Sequence, residues 1–393
     1  MPPPQLFWIA RGESLGTSSE VSECHRLAGR ETCSATSPQG ANNLICRENL
    51  RSQRLDVRAD SPKSIGFRAE EAVMTRREAL IKACAAGVLL GGRASFAKAS
   101  QPVTTVKFDV PASACDCHTH IFGDPRQFPY SPGRTYTPEM ALPEEMSALH
   151  RALHIDRLVI VTPSVYGTDN SATLFGMKAR GANARGVAVI DEKTREEDME
   201  AMAKAGMRGI RLNLVSAGLI DLFVARRRFL VAADRIKSRD WHIQIYATLG
   251  LVSGLKDAVR DSPNPVVFDH FGGAQAALGV QQPGFADLVE LVESGKAYVK
   301  LSGAYRSSKQ PPDYPDVVPL AKALIAANAD RILWGTDWPH PATAAPSGGQ
   351  PTDVTPLLQI DDGRLLNQLV VWAPDPAMRK KILVDNPAVL YGF

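Results

Sequence analysis

The sequence predicts a (β/α)8 TIM barrel, a single catalytic domain, over most of the 393-residue chain. Three observations carry this expectation. Short runs rich in Val, Ile and Leu recur eight times beyond residue 110. Several are almost continuously apolar, as in strands covered on both faces. The segments between them are longer, with helical composition and apolar spacing. Eight such units in so short a stretch fit a closed barrel. A doubly wound open sheet is the alternative, but no G-x-G-x-x-G turn follows the first run, so dinucleotide binding has little support.

In chain order the strand runs are Ala114–Ile121, Arg157–Pro163, Ala184–Asp191, Met207–Leu214, His242–Ala247, Pro265–Phe271, Ala297–Gly303 and Arg331–Asp337. Glu144–Ala152, Glu196–Lys204 and Phe285–Glu293 read as helices between them. His150 and His154 share a helix face at i,i+4 and are expected on the barrel exterior. Arg226-Arg227-Arg228 reads as a solvated face of another helix.

The first 73 residues differ. They are rich in Ser, Arg and Glu, hold Cys24, Cys33 and Cys46, and sustain no apolar period. They are expected to be disordered, or an upstream translation that the cell does not make. From Met74 the order changes. Thr75-Arg76-Arg77-Glu78-Ala79-Leu80-Ile81-Lys82 resembles a twin-arginine motif, an apolar run covers Ala83–Leu90, and Ala97-Lys98-Ala99 has the A-x-A form of a cleavage site. Residues 74–99 are therefore expected to be a signal peptide and 100–393 the barrel. Translation from Met74 would bring the twin-arginine translocation machinery in as a partner and give a periplasmic enzyme cut near Ala99; otherwise the protein would be cytoplasmic. The apolar run is too short to span a bilayer, so no stable membrane insertion is expected.

Composition narrows the function. With 45 basic against 42 acidic residues, the chain has no nucleic-acid footprint. Beyond residue 99 the only cysteines are Cys115 and Cys117. At i,i+2 on a strand their Cα atoms would lie about 6.6 Å apart with parallel side chains, so no disulfide is expected.

The chemistry-bearing residues gather at strand ends. Strand one ends in Asp116-Cys117-His118-Thr119-His120, strand six in Phe268-Asp269-His270, and strand eight in Gly335-Thr336-Asp337-Trp338-Pro339-His340. An inward imidazole pair is costly unless hydrogen-bonded or ligated. Asp337 is placed as a natural general base. Arg211 at the end of strand four, Tyr246 at the end of strand five and Arg306 just past strand seven face the same mouth, and guanidinium groups suit a carboxylate.

H-x-H on strand one, a strand-six His and Gly335-Thr336-Asp337-Trp338-Pro339-His340-Pro341 resemble the amidohydrolase superfamily, in particular its amidohydrolase-2 branch and the 2-pyrone-4,6-dicarboxylate lactonases, over about residues 110–393. Gly167–Leu174 and Gly206–Asn213 support the resemblance. It implies that His118, His120 and His270 surround and polarise a lactone carbonyl. By the same resemblance Asp337 takes a proton from water, and Arg211, Arg306 and Tyr246 hold the substrate with Tyr136, Ser164 and His340. Two positions depart from the pattern. Ala217 stands where those lactonases carry a second carboxylate-binding arginine, and Val165-Tyr166 replaces their Cys-His pair. The expected substrate is thus a small anionic lactone, not specifically the pyrone dicarboxylate.

Many amidohydrolases bind zinc through H-x-H, a strand-five His and the strand-eight Asp. Here strand five ends in Tyr246, and His242 lies at its other end, roughly 13 Å away. Metal-independent hydrolysis is therefore favoured, with no cofactor; zinc on His118, His120 and Asp337, with or without His270, is the alternative. Lactone isomerisation and metal-dependent amidohydrolysis or decarboxylation compete with hydrolysis, whereas a non-enzymatic binding protein would not need the His and Asp cluster. A homo-oligomer is left open.

Overall fold

In the computed structural model, residues 99–216, 218 and 221–393 are described. They belong to a single compact unit. The expectations for residues 1–73, for the twin-arginine motif and apolar run, and for Ala217 lie outside the described residues.

Eight parallel strands form one sheet in sequence order. They are β1 (Cys115–Thr119), β2 (Arg157–Val161), β3 (Ala184–Ala188), β4 (Met207–Asn213), β5 (His242–Tyr246), β6 (Val266–Phe268), β7 (Ala297–Ser302) and β8 (Ile332–Gly335). The sheet closes where Thr119 bridges Trp338 in parallel, with His120 N donating to Trp338 O (2.8 Å) and Asp337 N to His118 O (2.9 Å). The (β/α)8 barrel is thus sealed by the two segments that carry its candidate chemistry. The strands are shorter than the apolar runs because the chain leaves the ladder at each C-terminal end. After β6, for example, it turns through left-handed backbone at His270 and Phe271.

Around the sheet run α1 (Pro143–Leu153), α2 (Ser171–Arg180), α3 (Glu196–Lys204), α4 (Leu222–Ile236), α5 (Leu249–Arg260), α6 (Phe285–Glu293) and α7 (Val318–Ala327). Proline at the start of α1 and the Glu145 carboxylate on Leu142 N (2.9 Å) fix that helix's first turn. Strand residues such as Ile160, Ile210 and Ile243 pack with helix residues such as Leu149, Phe229 and Leu255 in the main core. Cys115, Cys117, Val159, Val187, Val267 and Leu333 form a second apolar cluster inside the barrel. Cys115 and Cys117 are free thiols, their Sγ atoms 3.8 Å apart.

One expectation is corrected. His150 is not on the exterior: it is fully buried, with Nε2 3.2 Å from Asp116 Oδ2. A register shift in β1 between Asp116 and Thr119 accompanies this contact. Asp116 also accepts from the backbone of His118 (3.1 Å) and Thr336 (3.0 Å) and from the Thr336 hydroxyl (2.6 Å), so it ties β1 to the end of β8. His154 is the left-handed residue that closes α1.

Candidate active site

The site is built in two tiers. The lower tier lies on polar positions of otherwise apolar strands. Lys300 on β7 is fully buried; its Nζ donates to Gln244 Oε1 of β5 (2.6 Å) and lies 3.6 Å from Asp269 Oδ1 and 3.4 Å from His118 Nδ1. Asp269 Oδ2 accepts from Gln244 Nε2 (3.1 Å) and from Nε and Nη2 of Arg211 (3.3 Å each). A buried carboxylate is tolerable here because two cations and an amide surround it. Burial opposes ionisation of Asp269, but His118 and Lys300 outweigh it and hold the carboxyl well below the usual range.

The upper tier is centred on Asp337, which is fully buried and has φ 68°. Its Oδ2 accepts from Tyr305 OH (2.7 Å) and from Arg306 Nε in a short ion pair. Its Oδ1 has no hydrogen-bond partner among the described residues. That oxygen faces three imidazoles: His120 Nε2 at 3.5 Å, His118 Nε2 at 3.6 Å and His270 Nε2 at 3.9 Å. Gly303, at φ 56°, makes room for the group: a Cβ there would stand 3.0 Å from His270 Nδ1 and 3.1 Å from Asp337 Oδ2. Burial works against the Asp337 charge, yet Arg306 and the neighbouring imidazoles leave its carboxyl well below the ordinary range. Burial lowers all three imidazoles, His118 strongly and His270 to about 4, so the rings are neutral at neutral pH.

Ring partners then decide what each imidazole offers. His120 Nδ1 lies 2.7 Å from Val161 O. A carbonyl only accepts, so Nδ1 carries the proton and Nε2 is a bare acceptor. His270 Nδ1 lies 3.0 Å from Ser302 Oγ, a hydroxyl that can donate or accept, so this ring can present Nε2–H.

The chamber above this cluster is lined by His120, Tyr136, Ser164, Arg211, Tyr246, His270, Arg306 and Asp337, together with Asn213 and Thr343. Tyr246 stands edge-on to His270, ring centres 5.0 Å apart. Two expected site residues do not line the chamber itself. His118 lies beneath the chamber. His340 is fully buried with Nε2 2.9 Å from Asp362 Oδ2, so it braces the wall instead of facing a substrate. Both expected carboxylate-binding arginines are already engaged, Arg211 by Asp269 and Arg306 by Asp337, although each keeps a face toward the chamber. Sequence reasoning passed over Lys300, Gln244, Asp269 and Tyr305. The alternations Ile243-Gln244-Ile245 and Val299-Lys300-Leu301 carried the signal for the first two, as single polar residues in strands covered on both faces.

Two trios, His118–His120–Asp337 and His118–Asp269–His270, bring ligand-type atoms within 4.8 Å of one another. The first fits a zinc-like ion by donor type and by an observation of its own: His118 Nε2 and Asp337 Oδ1 are both buried without hydrogen-bond partners among the described residues.

A closed parallel barrel with histidines and a carboxylate at the C-terminal ends of its strands defines a (β/α)8 enzyme scaffold. The chain belongs to the amidohydrolase family, whose model matches residues 115–393. It is 36% identical over 290 residues to a 4-sulfomuconolactone hydrolase of Rhizobium radiobacter, covering 73% of this chain and 92% of that one. It is 34% identical to a 2-pyrone-4,6-dicarboxylate hydrolase of Comamonas testosteroni (75% and 94% covered) and 31% identical to a D-galactarolactone isomerase of Agrobacterium fabrum (72% and 91%).

Proposed function

We propose that the protein hydrolyses the lactone of an organic acid bearing at least one anionic arm. The observation that carries this reading is the free Oδ1 of Asp337, which faces His118, His120 and His270 at the barrel mouth. Water placed there adds to the lactone carbonyl as its proton passes to Asp337 Oδ1. The ring C–O bond then breaks, and the proton goes to the departing alkoxide. His120, with a bare Nε2, orients the water as a second acceptor. This differs from the expectation that it polarises the carbonyl. His270 presents Nε2–H to the carbonyl oxygen, and the free edges of Arg306 and Arg211 lie beside the developing charge. The names of the relatives support a lactone substrate.

The reading is metal-independent. Arg306 already compensates Asp337, and β5 ends in Tyr246 where a further ligand would be needed. An ion held by His118, His120 and Asp337 would supply a Lewis acid and acidify bound water. Exhaustive chelation with metal analysis separates the cases. Turnover is expected to persist with well under one equivalent of metal per chain, and a stoichiometric metal whose removal abolishes turnover would reject the metal-free route.

The isomerase relative supports a second reading, in which the same acid–base groups move a proton without consuming water. Proton NMR of the products from a panel of anionic lactones distinguishes them: an open-chain hydroxy acid marks hydrolysis, a ring isomer marks isomerisation, and no turnover of any lactone rejects both.

A further inference from the structure

The chamber at the histidine cluster has room for about one water: its free volume is roughly 20 Å³. A lactone ring is larger than that space, so the body of a substrate extends beyond it. A cavity of about 620 Å³ adjoins the chamber, and Ser164, Arg211 and Asn213 line both spaces. That volume is typical of a small-molecule site. The cavity lies between the C-terminal end of β4 and helix α4. Leu212, Val224 and Val231 give it apolar walls, and Arg227 and Arg228 stand at its edge.

Those two arginines are exposed and have no ion-pair or hydrogen-bond partner among the described residues. Other arginines lining the space are engaged, Arg211 by Asp269 and Arg235 by Thr194 O. Two acidic groups line the space: the Asp191 carboxylate is occupied by Thr194 and the backbone of Lys193, and Glu192 is exposed next to the Lys193 cation, so the lining keeps a net positive charge. The cavity therefore combines an apolar wall with two uncommitted guanidinium groups, a pairing that suits a carboxylate or sulfonate carried on an apolar arm.

We propose that this cavity is a substrate subsite, in which an apolar arm runs from the lactone ring past Arg211 along α4 and ends in an anion held by Arg227 and Arg228. The inference rests on the lactonase reading for the ring and adds the arm. It assigns a binding role to a basic cluster that the sequence presents only as a solvated helix face.

Two measurements test it on the full chain, using Arg227→Ala/Arg228→Ala and the cavity-filling Val231→Trp. In the first, kcat/KM is compared for a short monocarboxylated lactone and for the same lactone extended by an alkyl chain ending in sulfonate. The long-to-short ratio should fall about tenfold in both variants, through KM. An unchanged ratio would overturn the subsite. In the second, calorimetry reads binding of 4-phenylbutyrate, which needs no turnover. Binding to the wild type that weakens about tenfold in both variants supports the subsite, even if no lactone is hydrolysed and the lactonase reading fails. Equal binding by all three proteins, or none by the wild type, rejects the subsite while leaving ring hydrolysis to its own test.

Discussion

Asp337 shows how neighbours divide the work of one carboxylate. Arg306 and Tyr305 hold Oδ2, which fixes the group's orientation and keeps it ionised, while Oδ1 stays free toward the imidazoles. The same ion pair weakens the carboxylate as a base, so the adjacent bare Nε2 of His120 matters to the proton's path. Asp337→Asn keeps the shape but removes the acceptor. Its kcat should fall about 10²–10⁴-fold with little change in KM, as steady-state kinetics on an anionic lactone would read. Near-wild-type kcat would remove Asp337 from the base role. Arg211 behaves differently from a simple substrate clamp, because its loss also strips Asp269 of a cation. Arg211→Met should therefore raise KM and lower the denaturation midpoint together, whereas a pure clamp would leave the midpoint unchanged.

His242 gives a residue-scale test of stability. It is buried at the N-terminal end of β5 against Tyr391, and neither ring nitrogen has a hydrogen-bond partner among the described residues. Burial, with Lys300 adding to it, pushes its pKa down to about 3. The unfolded chain takes up this proton near 6.5 and the folded chain only near 3, so the unfolded state binds more protons between those values. Stability from this group is therefore intact above pH 6.5 and falls as the pH drops toward 3. At pH 5 the loss amounts to about 2 kcal/mol. Denaturant titrations at pH 7.5 and 5.0 should show a smaller acid penalty for His242→Leu than for the wild type. An equal penalty would place the acid sensitivity elsewhere.

At the scale of elements, the segment before β1 acts as a strap. The backbone of Val103 and Thr104 and the Thr104 hydroxyl all donate to the Asp361 carboxylate, at 2.5 to 3.2 Å, and Ser100 O accepts from the Trp338 indole at 3.1 Å. Trp338 follows Asp337, and Asp361 precedes the partner of His340, so the strap braces both sides of the mouth. Asp361 also accepts from Gly363 N at the start of the helix Asp362–Asn367. Asp361→Ala should cost about 1–3 kcal/mol in stability and speed proteolysis within residues 100–110. Unchanged cleavage would mean that the strap is held by its other contacts.

For the whole molecule, the barrel closes through the very segments that carry the His pair and the aspartate, so stability and site geometry are coupled across the β1–β8 seam. Export, expected from the Arg76-Arg77 motif, is a separate whole-chain question. With translation from Met74, changing Arg76 and Arg77 together to Lys should leave the protein in the cytoplasm. Periplasmic fractionation would read this, and unchanged export would end the twin-arginine expectation.

The alternation of apolar runs and helical stretches was enough to specify the barrel, because strands covered on both faces and their crossover helices leave a periodic mark in the chain. His118, His120, His270 and Asp337 were legible for a related reason: in a parallel barrel, a polar residue at a strand's C-terminal end falls at the mouth. The sequence could not show which atom of each group is free. Val161 O makes Nε2 of His120 an acceptor, Arg306 takes one oxygen of Asp337, and Asp362 takes His340 away from the chamber. Those outcomes depend on partners 22 to 41 residues distant. Local pattern marks Lys300 as a lone polar residue in an apolar strand, but not its partners: its charge is acceptable in the barrel because Gln244 and Asp269 arrive from two other strands. Residue type and spacing determined where the chemistry would collect, and three-dimensional contact decided which lone pairs and protons remain available to do it.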